Sequence, residues 1–101
     1  MERVNVIVKD PGEPPRMETI DNTLEALQTL VGGWLEAIPT PDPTTAVYVN
    51  EEGRLDELEA NVGGLVGPIL VTGLDPESGD TVDLTVRQAA RYTAMLAGVR
   101  S

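Results

Sequence analysis

The densest group of ionisable side chains is Glu51, Glu52, Asp56, Glu57 and Glu59, relieved only by Arg54. Carboxylates so close together have three chemical uses. They can hold a divalent cation, work as an acid/base pair, or present a negative field to a partner. Ca²⁺ asks for six to eight oxygens at fixed loop positions, and this stretch lacks the Asp-x-Asp-x-Asp-Gly pattern. Carboxylate pairs of the glycosidase kind need a cleft, which a 101-residue chain can hardly enclose. The third use is met by a basic protein through complementarity, or by a DNA-binding protein whose groove the carboxylates would occupy. The alternative is a solvated face whose charges serve solubility. No catalytic residue, metal site or cofactor is assigned.

A second chemistry is anion binding. Asn50, Gly53 and Arg54 together can hold a phosphate or carboxylate through backbone N–H groups and a bidentate guanidinium. Arg87 and Arg91 lie one helical turn apart, and Arg16 is a further cation. With Asn50, Gly53 and Arg54 they form a candidate set for a small nucleotide-like ligand. A monomer of this size offers a shallow pocket, so the set predicts a site between subunits of a homo-oligomer. The alternatives are a β-turn with its charges in solvent, and a basic helix face offsetting an acidic body. Gly63-Gly64-Leu65-Val66-Gly67-Pro68 is not a P-loop, because no Lys-Ser/Thr follows. Trp34 reads as a core or interface plug rather than a stacking platform.

Composition removes most other chemistries. With no His and no Cys, there is no Ser-His-Asp triad, disulfide, zinc finger or iron–sulfur cluster. The formal charge is −10. All 17 acidic residues lie in 1–84, whereas 85–101 holds Arg87, Arg91 and Arg100 and no acid. Such a surface repels nucleic-acid phosphates, so direct nucleic-acid binding is not expected. No apolar run reaches the ~20 residues of a membrane span, and the N-terminal residues lack a signal-peptide pattern. The expectation is a cytoplasmic, non-enzymatic protein with one domain over 1–101.

The elements that must position these residues are short. Val4, Val6 and Val8 alternate with Asn5, Ile7 and Lys9, a strand pattern. Prolines at 11, 14 and 15 break it, and Arg16–Ile20 predicts its hairpin partner. Asn22 as cap with Glu25 three residues on predicts a capping box and a helix over about 23–31, ended by Gly32-Gly33. Strands follow at Trp34–Ile38 and Ala46–Val49, with a Pro-rich loop at 39–43 between them. The turn at 50–55 draws on a positive φ at Gly53. Residues 56–61 fit a helical turn or an irregular strand equally. Leu65–Val71 predicts an apolar strand broken by Gly67-Pro68, and an unpaired edge there would let two copies join. Gly73 and Gly79 read as turn glycines. Thr85 with Gln88 predicts a second capping box and a helix over about 86–97. The sum is an α+β fold: one mixed or antiparallel sheet of five or six short strands, with both helices on one face.

Three segments in this order resemble a known family. They are Ile20 to Gln28 closed by Val31-Gly32-Gly33, then Val49 to Leu55 with Asn61 beyond it, then Gly67 to Gly73 with Leu84-Thr85. The resemblance is to the domain-of-unknown-function family 3846, and it covers most of the chain. It implies a small accessory protein of bacteriophages, prophages and conjugative elements, acting in a bacterial host's cytoplasm. It carries over no activity and no site residues. By analogy with such accessory proteins, the expected function is counter-defence through sequestration of a nucleotide-like ligand. The alternatives are an acidic, DNA-mimic-like inhibitor of a basic or DNA-binding host protein, and a structural or regulatory homodimer.

Overall fold

The computed structural model describes residues 2–98; Arg100 lies outside them. Six strands and two helices follow in the order β1 (Arg3–Lys9), β2 (Arg16–Asp21), α1 (Leu24–Val31), β3 (Leu35–Ile38), β4 (Thr45–Asn50), β5 (Ile69–Leu74), β6 (Thr81–Val82) and α2 (Val86–Gly98). The strands form one antiparallel sheet ordered β2-β1-β5-β4-β3, with β6 also pairing β5. The fold class is α+β, with the two helices at the predicted places.

The helices lie on opposite faces of the sheet, a correction to the expected single helical face. Strand alternation makes this plain. Val4, Val6 and Val8 of β1 and Leu70 of β5 pack with Leu27 and Val31 of α1. Their neighbours Ile7, Ile69 and Val71 pack instead with Tyr92 of α2 and Leu84 before it. Because both faces are covered, β5 is buried from Ile69 to Gly73 and carries an almost unbroken apolar run. The polar half of the β1 alternation is likewise partly buried: Lys9 is covered and its Nζ donates to the Asp10 carbonyl at 3.0 Å.

Thr23, not Asn22, caps α1. Its hydroxyl accepts from the Ala26 N–H at 3.1 Å, while the Asn22 amide reaches across to the Thr81 carbonyl at 2.9 Å. Both residue types cap well, and the tertiary bond decides between them. Gly32 ends the helix at φ 82°, where a Cβ would be strained. The box at α2 forms as expected. The Gln88 N–H donates to the Thr85 hydroxyl at 3.1 Å, and the Thr85 N–H donates to the Gln88 side chain at 2.9 Å.

Three further expectations change. The apolar run Leu65–Val71 divides, and Ile69–Val71 enters the central strand β5 between β1 and β4, so it offers no free edge for a second copy. The strands paired on one side only are β2, β3 and the two-residue β6. Gly73 sits inside β5 and not in a turn. Trp34 is 66% exposed and is no core plug.

Candidate functional site

Strand β4 ends at Asn50, and the chain then winds through residues 51–57 as stacked turns. Backbone N–H groups of Gly53, Asp56 and Leu58 donate to Asn50, Glu52 and Gly53. Of the undecided stretch 56–61, residues 56 and 57 finish the turns and the rest is irregular, pinned by an antiparallel bridge between Ala60 and Val66. Gly53 is buried without a positive φ. A Cβ there would lie 3.0 Å from Val66 Cγ2 and 3.3 Å from the Asn50 carbonyl, so the turn needs its small size.

Three polar side chains brace this loop. Asn50 is buried; its amide donates to the Val31 carbonyl at 3.2 Å, and its oxygen accepts from the Glu52 N–H at 2.8 Å. Asn61 donates to the Lys9 and Gly67 carbonyls and accepts from the Val62 N–H, each at 2.8 Å. Arg54 folds back to donate to the Gly64 carbonyl at 2.7 Å. Asn50, offered by the sequence as a ligand group, thus holds β4 and the loop against the end of α1. Replacing Asn50 with Ala is expected to cost about 2 kcal/mol by leaving buried groups unpaired, read from urea midpoints with purified protein alone. A change below a few tenths would show that Asn50 is not structural.

What the loop presents is acidic. Glu51, Glu52, Asp56, Glu57 and Glu59 are all exposed, and none of the ion pairs among the described residues involves them. Glu57 takes a left-handed φ of 54°, which is uncommon for a non-glycine. Leu55 stands among them, 82% exposed. No group of three or more metal-ligating side chains comes together among the described residues.

The six anion-site candidates do not converge in one subunit. Asn50 and Arg54 line a cavity of about 160 Å³ together with Glu36 and Glu51, and those carboxylates oppose an anion. Arg16 starts β2 at the far edge of the sheet, with β1 and β5 between it and β4. It is paired with Asp10 and with Glu18 at 2.8 Å, and bonds to Asp10 and then Glu18 raise its pKa further above the ordinary value. Arg87 and Arg91 are exposed on α2.

Arg91 adds a small attraction to Asp42, whose pKa is lowered mainly by the Thr44 hydroxyl and N–H at 2.6 and 2.9 Å. A depressed carboxyl stabilises the fold above its unfolded pKa, ordinarily 3.8 here, and loses that contribution as pH falls through the folded value. The melting-temperature advantage of the native chain over Asp42→Asn should therefore be present at neutral pH and vanish in acid below 3.8. A pH-independent difference would break the assignment.

A second surface was not legible as a site. Helix α2 covers β1 and β5 and reaches Thr45 of β4 through Tyr92, leaving a gap over the half-buried Val47 on the same face. The gap is an apolar groove of about 450 Å³. Val47, Ile69 and Val71 make its floor; Tyr92, Met95 and Leu96 of α2 form one wall, and Val62 and Leu65 the other. Tyr92 supplies the only polar side-chain atom, and its hydroxyl is already shared with Thr45 at 2.8 Å and Thr40 at 3.0 Å. Leu65 also lines the smaller cavity beside the acidic loop, so the two concavities adjoin. The sequence signal was the apolar side of α2, where Met95 reads as core yet is 52% exposed.

Fold and surface together define a small domain in which an antiparallel sheet lies between two helices, with one concave side. The chain belongs to the family described as Domain of unknown function (DUF3846), whose model matches residues 3–97. No curated protein and no solved structure matches it. Among the described residues, no helix is long and apolar enough to cross a membrane.

Proposed function

We propose that this chain is a non-enzymatic binding protein that captures a basic, DNA-binding protein through the loop 51–59. The observation that carries the reading is the set of five exposed carboxylates, none of them in an ion pair among the described residues, on a loop held by Asn50, Arg54 and Asn61. Holding the loop in advance reduces the entropy lost on binding. Carboxylates left without cations keep their field for a partner, which raises the association rate and selects its charge. The nucleotide reading has less support, because the guanidinium groups that motivate it are dispersed and Arg16 is already paired. The proposed setting, a bacterial host's cytoplasm during phage or mobile-element activity, is the one the family resemblance implies.

The test uses a labelled oligo-arginine peptide and its binding isotherm. Raising salt from about 0.1 M to about 1 M shortens the screening length from ~10 to ~3 Å and should weaken binding strongly. The variant Glu51→Gln, Glu52→Gln, Asp56→Asn, Glu57→Gln, Glu59→Gln should lose at least about tenfold in affinity, about 1.4 kcal/mol. Neutralising Glu77 and Asp80 in the 75–80 turn should change it little. An equal loss per neutralised charge in the two variants would mean that net charge alone attracts the peptide, and the reading would fail.

A further inference from the structure

The groove between α2 and β4 has a floor and walls of stated chemistry, which restricts what fits. We infer that it docks one face of a basic amphipathic helix from the captured partner, an inference that rests on the acidic-loop reading above. A helix laid in such a groove buries apolar side chains at i, i+3, i+4 and i+7. The groove matches this pattern: Ile69 and Val71 lie buried beneath it, half-buried Val47, Leu65 and Leu96 offer apolar surface, and the exposed Met95 adds a flexible thioether on its wall. Methionine adapts to varied partner shapes.

Charge decides the rest. Past Leu65 the groove runs into the cavity lined by Glu36 and Glu51, at the foot of the acidic loop. Arg54, the one cation there, is bonded to the Gly64 carbonyl. Apolar residues of the helix would lie between α2 and β4, and its Lys or Arg residues would meet Glu36, Glu51 and the loop beyond. A second copy fits less well, since it would bring another body of charge −10 against the same carboxylates. A small apolar molecule fits less well too. Ligand pockets fix orientation with a few free polar groups, and the Tyr92 hydroxyl is already spent on Thr45 and Thr40.

The test compares two labelled peptides of identical Leu/Lys composition. One has leucines at i, i+3, i+4 and i+7; in the other they are scattered around the helix. Fluorescence anisotropy should show the amphipathic peptide binding about tenfold tighter, the return from burying one or two more apolar side chains. Met95→Gln keeps a good helix former at an exposed position, so the fold should persist, checked by its melting curve. It should erase the preference while leaving the scattered peptide's affinity unchanged. If both peptides bind equally and the five-carboxylate variant weakens both, the acidic loop binds a partner and the groove proposal is overturned alone. Binding of neither peptide overturns both readings. A wild-type dimer in sedimentation that Met95→Gln converts to monomer would assign the groove to a second copy and overturn the proposal. An apolar dye that fills the groove and is not displaced by the amphipathic peptide would do the same.

Discussion

Replacing Leu70 with Ala should cost about 3 kcal/mol and lower the melting temperature by roughly 12–24 °C, given ~4–8 °C per kcal/mol for a domain of this size. Leu70 is fully buried in the central strand. On its face it meets Val8 of β1 and Tyr48 of β4 as cross-strand partners, with Leu27 and Val31 of α1 above. The loss includes both the transfer energy of the missing carbons and the cavity they leave. That cavity collapses poorly, because β-branched valines on the adjacent strand have few rotamers with which to fill it. The expected value is a large share of the ~5–15 kcal/mol that holds a typical domain. Paired urea titrations of wild type and variant read it directly. A cost under about 1 kcal/mol would mean that α1 does not close this face.

The residues that were readable in advance are those whose neighbours in sequence decide their state. The Thr85/Gln88 box, the Gly32 stop and the alternation of β1 each depend on partners within a turn or on a period of two. What could not be read depends on partners far along the chain. Thr23 caps α1 in place of Asn22 because Asn22 finds Thr81, 59 residues away. The side of the sheet that each helix takes is decided by strand order, with β5 inserted between β1 and β4; a list of amphipathic segments does not contain that order.

The candidate site divides in the same way. The acidic residues cluster in sequence and remain clustered in space, on an exposed loop. The arginines were joined only by type, and the sheet separates Arg16 from Arg54. Asn50 looked like a ligand group because Asn-x-x-Gly turns can hold anions, yet its side chain is consumed by Val31 and Glu52. The groove was hidden for a different reason. An apolar helix face predicts burial against something, and the gap left over Val47 beside α2 is a property of packing alone.

Gly73→Ala should cost about 3 kcal/mol, although it adds one methyl group to a β-strand. Its two neighbours on the sheet are Thr45 of β4 and Val82 of β6. A Cβ on residue 73 would lie 2.5 Å from the Asp83 carbonyl oxygen and 2.7 Å from that of Val82. Both are backbone atoms, so no rotamer change relieves the clash and β6 itself must move. β6 is pinned from the other side. Asp83 Oδ1 accepts from the Asn5 N–H at 2.7 Å, and the Thr81 carbonyl accepts from Asn22 at 2.9 Å. Displacement would lift Leu84, which is buried in the core beneath α2, and loosen the start of that helix. Gly79→Ala is the control. Gly79 has φ 79° with nothing within 4 Å of a built Cβ, so it should cost only the left-handed penalty of about 1–2 kcal/mol. Equal costs for the two variants would show that close approach is not what Gly73 provides. Amide exchange gives a second reading: residues 84–89 should exchange faster in Gly73→Ala and unchanged in Gly79→Ala. Since α2 is one wall of the groove, the same Gly73→Ala protein should also lose its preference for the amphipathic peptide while the acidic loop, braced independently by Asn50 and Asn61, keeps its hold on oligo-arginine.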